Sequence, residues 1–273
     1  MKADAELEPF VRLIEALEPW LDQVVIIGGW AHRLYRLDPR AEGLTYPPIT
    51  TLDSDIAVPS KIEAKETSIR DRLLATGFRE EFVGEDRPPA THYHLVGTGG
   101  FYAEFLSPLV GSEYGRKGER KGTREVAGIS SQQLRYIEIL LLAPWRIRLS
   151  KTNGYPFASA KHVQVANPVS FLTQKVLIQD ARDRKDRAKD ILYIHDTIET
   201  FAGNLAELRE LFAKGIRPKL HEKRAREVSN AADTLFGRVD DTIREAVQMV
   251  AGRKLHPEAL TETCRAGLEA IFE

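Results

Sequence analysis

The segment Thr51-Leu52-Asp53-Ser54-Asp55-Ile56-Ala57-Val58 sets two carboxylates two residues apart at the mouth of an apolar run. On a strand, residues i and i+2 point to the same face, so Asp53 and Asp55 project side by side. Two like charges held together repel, and a divalent cation relieves the repulsion. Mg²⁺ favours a few carboxylates plus substrate phosphate oxygens, which points the pair toward phosphoryl or nucleotidyl transfer. Glu104 is the lone acid in the otherwise apolar run Phe101-Tyr102-Ala103-Glu104-Phe105-Leu106. A charge there is costly unless it meets a cation, which makes Glu104 the candidate third carboxylate of one sheet. Gly28-Gly29 adds a turn whose backbone N–H groups can approach phosphate oxygens. Each part is commonplace by itself, as a turn or a solvated acidic loop; the combination is what carries the chemistry.

The elements that must position these residues follow from periodicity. Leu7 to Leu21 repeats apolar residues at helical spacing. Val24 to Ile27 is a short β-branched run with no polar face, the pattern of a strand buried on both sides, and Gly28-Gly29 leads from it into a helix over Trp30 to Leu37. A loop over 38–50, rich in proline and glycine, precedes a strand at Ser54 to Val58. The pattern then predicts a helix over Lys61 to Thr76 closed by Gly77, and strands at Phe78 to Val83, His92 to Val96 and Phe101 to Leu106, with Gly99-Gly100 as a hairpin turn. Residues 111–124 form a glycine-containing basic loop with Arg116, Lys117, Arg120, Lys121 and Arg124. Tyr136 to Ala143 and Arg146 to Leu149 fit either a strand or a short helix. From Pro168 onward, after Asn167 as N-cap, the pattern is helical throughout. The fold class expected is α+β: a small mixed sheet domain over 1–165 followed by a helical domain over 166–273.

Composition narrows the function classes. The chain of 273 residues carries 39 Lys+Arg against 40 Asp+Glu and is 42% apolar, which argues against binding nucleic acid over its whole surface and permits a local basic patch. Cys264 is the only cysteine, so an internal disulfide framework and a cysteine-rich zinc site are excluded. The acidic start, MKADAELEPF, lacks the apolar run of a signal peptide, and no stretch is long enough to span a bilayer, so the expected address is cytoplasmic, with no membrane partner. His92 and His94 share a strand face at metal-ligand spacing, and the reading preferred for them is a structural one. His32 either faces a nucleotide or caps its helix, and His195 is expected to face solvent or a helix neighbour. Trp30 and Trp145 are core candidates.

Gly28-Gly29 after an apolar strand, a helix, Thr51, Asp53-x-Asp55 and a later Glu104 together resemble the nucleotidyltransferase superfamily of the DNA polymerase β type, over about the first 110 residues. Within it the chain resembles bacterial nucleotidyltransferase-like proteins and, more distantly, the AbiEii- and MenT-type toxins. The resemblance implies that Asp53 and Asp55 bind Mg²⁺ and the phosphates of an NTP. It further implies that Glu104 holds a second metal ion and helps activate the incoming hydroxyl, and that Gly28-Gly29 cradle the triphosphate. It implies release of pyrophosphate and an acceptor hydroxyl that is an RNA end (the tRNA 3′ end in toxin-like members), a small molecule or a protein, with an antitoxin as a possible partner. Lys175 and Asp190 resemble a functional lysine and aspartate of the toxins, although Asp183 and Asp186 compete for the second role; a continuous helix would put Lys175, Gln179, Arg182, Asp186 and either Lys189 or Asp190 on one face. Two rival readings stand beside this one: a nucleotide-binding or regulatory protein without turnover, and a glycosyltransferase whose Asp-x-Asp pair binds a nucleotide sugar. The position of the glycine turn, one strand ahead of the acidic pair, speaks against the second.

Overall fold

The computed structural model describes residues 6–85, 88–114 and 121–273. It divides into two compact units, one of residues 1–34 and 50–166, the other of residues 35–49 and 167–273. In the first, α1 (Leu7–Ala16) precedes β1 (Val25–Ile26), α2 (Gly28–Leu34), β2 (Asp53–Ala57), α3 (Ile69–Ala75), β3 (Phe78–Val83), β4 (Ala90–Leu95) and β5 (Tyr102–Pro108). Then come β6 (Thr123–Val126), β7 (Ile129–Leu134), α4 (Ile137–Leu140), β8 (Trp145–Leu149) and β9 (Lys161–Val165).

All of these strands join one mixed sheet in the order β3-β4-β5-β2-β1-β9-β8, with β7 beside the C-terminal half of β5 and β6 beside β7. The strand β1 runs antiparallel to β2 and parallel to β9, and β2 runs parallel to β5. Ser54, Ile56, Ala103, Phe105, Tyr93 and Leu95 alternate inward and are buried, which leaves the intervening residues of β2, β5 and β4 on a half-exposed face. Val25, Ile27, Ala57, Leu106, Ile137, Leu140 and Ala166 form a buried cluster at β1. Phe10 of α1 stacks on Trp30 of α2 at 3.7 Å, so Trp30 is core. Each such fully buried large side chain contributes about 2 kcal/mol.

Several expectations are corrected here. Helix α1 stops at Ala16 because Pro19 opens a separate 3₁₀ turn over Glu18–Trp20. The helix expected from Lys61 begins only at Ile69, where Ser68 caps it by accepting a hydrogen bond from the Asp71 N–H at 3.1 Å; the preceding stretch is charged and has no apolar stripe to bury. Helix α2 starts at Gly28, two residues early, and gives way to a 3₁₀ turn at Tyr35. Strand β6 takes over the end of the basic loop, including Arg124; Arg116, Lys117 and Arg120 of that loop lie outside the described residues.

The second unit holds α5 (Pro168–Leu177), α6 (Arg184–Thr200), α7 (Leu205–Leu211), α8 (Glu222–Ser229), α9 (Ala231–Phe236), α10 (Asp241–Met249) and α11 (Pro257–Phe272). Asn167 caps α5 and Asp183 caps α6, each accepting a backbone N–H. Asp183 therefore ends any continuous helix from Lys175 to Asp190. Tyr35, Phe171, Phe201 and Tyr193 meet edge to face at its centre. Helix α11 approaches α6 at Gly267, where a Cβ would fall 2.4 Å from an Ile198 methyl. No helix among the described residues is long and apolar enough to cross a membrane.

Cys264 of α11 is fully buried, and burial raises its thiol pKa well above the ordinary value, with the Asp196 and Glu199 carboxylates adding to the rise. The thiolate is the reactive form. A chromogenic disulfide reagent at mildly alkaline pH is therefore expected to titrate no thiol in the folded protein and one per chain in denaturant; prompt labelling of the native protein would contradict this packing.

Candidate active site

The parallel pairing of β2 with β5 sets Asp53 opposite Tyr102 and Asp55 opposite Glu104. The antiparallel pairing of β5 with β4 continues both rows, His94 beyond Tyr102 and His92 beyond Glu104. Asp53, Asp55 and Glu104 therefore emerge on one face, on adjacent strands, as the sequence spacing predicts. Their common field is felt by the Tyr102 phenol, whose pKa is raised first by burial and then by Asp53, Glu104 and Asp55. Thr51 donates its hydroxyl to Asp53 Oδ1, and His92 Nε2 lies 3.2 Å from Glu104 Oε2. These contacts draw the carboxylates toward separate neighbours, as repulsion between like charges requires.

On the other side of β2, Gly28 carries φ +61°, and a Cβ built there would fall 1.8 Å from Asp55 Oδ2. Only glycine can lie so close to that carboxylate. The backbone also ties the two segments, the Asp55 carbonyl accepting the Ile27 N–H at 3.0 Å. Glu6 is buried and ion-paired to Arg33 at 2.9 Å; its carboxyl is pushed upward by burial and by the charge of Asp53. His32 is buried inside α2 rather than placed at a cap. The three carboxylates supply hard oxygen donors on a half-exposed face beside a glycine cradle, a set suited to Mg²⁺.

A second cluster was not anticipated. His195, Asp196 and Glu199 of α6 bring one ligand atom each within 4.8 Å of one another. His195 is 3% exposed, so it faces its helix neighbours and not solvent, with Nδ1 3.0 Å from Asp196 Oδ1. This cluster already holds a cation: Arg253 donates to both Asp196 oxygens at 2.9 and 2.7 Å, and its guanidinium lies 4.1 Å from the centre of the Tyr46 ring. The Tyr46 hydroxyl donates to Asp196 and Glu199. The i, i+4 spacing of His195 and Glu199 was the available signal.

A family model described as nucleotidyltransferase matches residues 6–214. The chain belongs to the nucleotidyltransferase family. Among solved structures, it is similar to an antigenic nucleotidyltransferase-like protein from Paracoccidioides brasiliensis, at 18% identity and a TM-score of 0.36, with 77% of this chain and 92% of that one covered. No curated protein matches it.

In this member of the family, Lys175 and Asp190 belong to the helical unit, where they pair with each other. Lys175 Nζ donates to Asp190 Oδ1 at 2.5 Å, both side chains are buried, and Arg182 Nε lies 3.4 Å from Asp190 Oδ2. Asp183 is the cap of α6, and the side chain of Asp186 sits on the exposed surface near Arg182. Of the three competing acids, Asp190 is the one that meets Lys175.

Removing one partner of a buried pair strands the other charge, at about 3 kcal/mol, whereas replacing both by apolar groups is close to neutral. Lys175→Met is thus expected to lower the denaturant midpoint, and Lys175→Met with Asp190→Leu to regain most of the loss in the same unfolding titration. Gly28→Ala is expected to cost about 1–2 kcal/mol from the left-handed backbone and to impair nucleotide transfer far more than stability, because its methyl displaces the Asp55 carboxylate. Calorimetry run beside a transfer assay checks both halves.

Proposed function

We propose that the chain moves a nucleoside monophosphate from an NTP to an acceptor hydroxyl at the half-exposed face of β2 and β5. The observation that supports this reading best is the register that sets Asp55 opposite Glu104, with Asp53 on the same face. Membership of the nucleotidyltransferase family supports nucleotidyl transfer as the reaction class. Asp53, Asp55 and Glu104 would hold Mg²⁺, which when bound supplies charge neutralisation at the transferring phosphate and its leaving oxygen. Gly28, which has no side chain, leaves room for the Asp55 carboxylate, and the backbone N–H groups of the Gly28-Gly29 turn would meet the phosphates. Thr51 orients the Asp53 carboxylate, and the His92 ring does the same for Glu104. Glu104 takes the proton that leaves the acceptor hydroxyl; the new bond joins that oxygen to the α-phosphorus, and pyrophosphate departs with the old one. In-line geometry places the acceptor opposite the leaving group.

The reading is tested by incubating the protein with each α-labelled NTP, Mg²⁺ and either total RNA, tRNA included, or a protein extract. Wild type is expected to transfer label, chelation to stop it, and Asp55→Asn or Glu104→Gln to lower the rate about 100-fold or more at unchanged thermal stability. Wild-type turnover by folded Asp55→Asn overturns the assignment.

A further inference from the structure

The face that carries Asp55 and Glu104 continues past them, and it changes character. The Tyr102 ring stacks on the His92 ring at 4.6 Å with planes 17° apart, and the His94 ring follows at 5.3 Å from Tyr102. His92, His94 and Tyr102 are all half-buried, so one part of each ring is packed and another is open. Beyond them on β3 lie two exposed residues, Arg79, paired with His94, and Glu81, paired with His92; Glu81 Oε2 is 2.6 Å from His94 Nε2. The order across the sheet is therefore glycine turn on β1, acidic pair on β2, Glu104 and Tyr102 on β5, two imidazoles on β4, and Arg79 and Glu81 on β3.

That order separates two sides of the reaction. The glycine turn flanks Asp55 from the β1 side, close enough that only a glycine clears its carboxylate, and its backbone is the side proposed for the phosphates. The rings flank Glu104 from the β4 side, where the group that gives up its proton must enter. We infer that the Tyr102–His92–His94 strip is the acceptor subsite and that it takes the terminal nucleobase of a single-stranded nucleic acid, stacked so that the hydroxyl of its sugar reaches Glu104. Flat rings arrayed on an open sheet face are a sequence-tolerant platform for unpaired bases. The inference rests on the transferase reading for its geometry and is separable from it by a binding measurement.

The test uses the full chain and a fluorescein-labelled single-stranded RNA oligonucleotide, followed by anisotropy without NTP. Wild type is expected to bind; Tyr102→Leu and His94→Leu are each expected to weaken binding about ten-fold, while Tyr102→Phe and His94→Phe, which keep a ring, restore most of it. NTP affinity, measured by calorimetry on the same variants, is expected to stay within about two-fold, well inside the effect of one lost stacking contact. RNA binding that is absent in wild type, or equal in the leucine variants, overturns the proposal. So does a loss that falls on NTP affinity, since the strip would then serve the incoming base, and so does label transferred to protein alone. Loss of RNA binding in the leucine variants of a chain that transfers no nucleotide would uphold the platform and sink the transferase reading.

Discussion

The pairing of β2 with β5 in one register governs the sheet unit. Because side chains alternate along each strand, the register that sets Asp55 opposite Glu104 also sends Ser54, Ile56, Ala103 and Phe105 into the core. A slip by one residue would bury the carboxylates and expose the apolar set. Hydrophobic burial, which is non-directional, thereby fixes the position of charges to within a fraction of a strand spacing. The neighbours follow from it: β4 lines up its imidazoles by pairing with β5, and β1 brings the glycine turn to Asp55 by pairing with β2.

The two units treat their acids differently. In the helical unit, buried carboxylates are closed off by the chain's own cations, Asp190 by Lys175 and Asp196 by Arg253. Such pairs lock α5 to α6 and α6 to the turn after α10, and they recover by mutual attraction part of the cost of leaving water. In the sheet unit, Glu6 is likewise closed off by Arg33, but three other acids share one half-exposed face, and all three raise the pKa of Tyr102. That electrostatic tension is tolerable at partial exposure, and a divalent ion held by the three acids would relieve it.

The site was more legible in the sequence than the sheet that holds it. Asp-x-Asp before an apolar run, a lone glutamate in another, and a glycine pair after a third are local patterns, and period-two alternation converts them directly into one face. The strands β6, β7 and β9 carry no such signal: Thr123–Val126, Ile129–Leu134 and Lys161–Val165 are rich in polar residues, and only their pairing with β5, β7, β1 and β8 makes them strands. Lys175 and Asp190 were expected only to share one face of a continuous helix, whereas the cap at Asp183 breaks the helix and the two residues meet across two. The environment of His195 was hidden because Arg253 and Tyr46, remote in sequence, create it.

Tyr46, Arg36 and Arg40 belong to a stretch, 35–49, that lies with the helical unit although it interrupts the sheet unit in the chain. Arg40 bonds Asp38 and Glu207, Arg36 bonds the Tyr46 carbonyl, and Arg253 bonds the Pro47 carbonyl, so this stretch is woven into the helices. The polypeptide thus passes between the units three times. A single cut near residue 166 would leave the sheet fragment trailing an orphaned strap and the helical fragment missing its own.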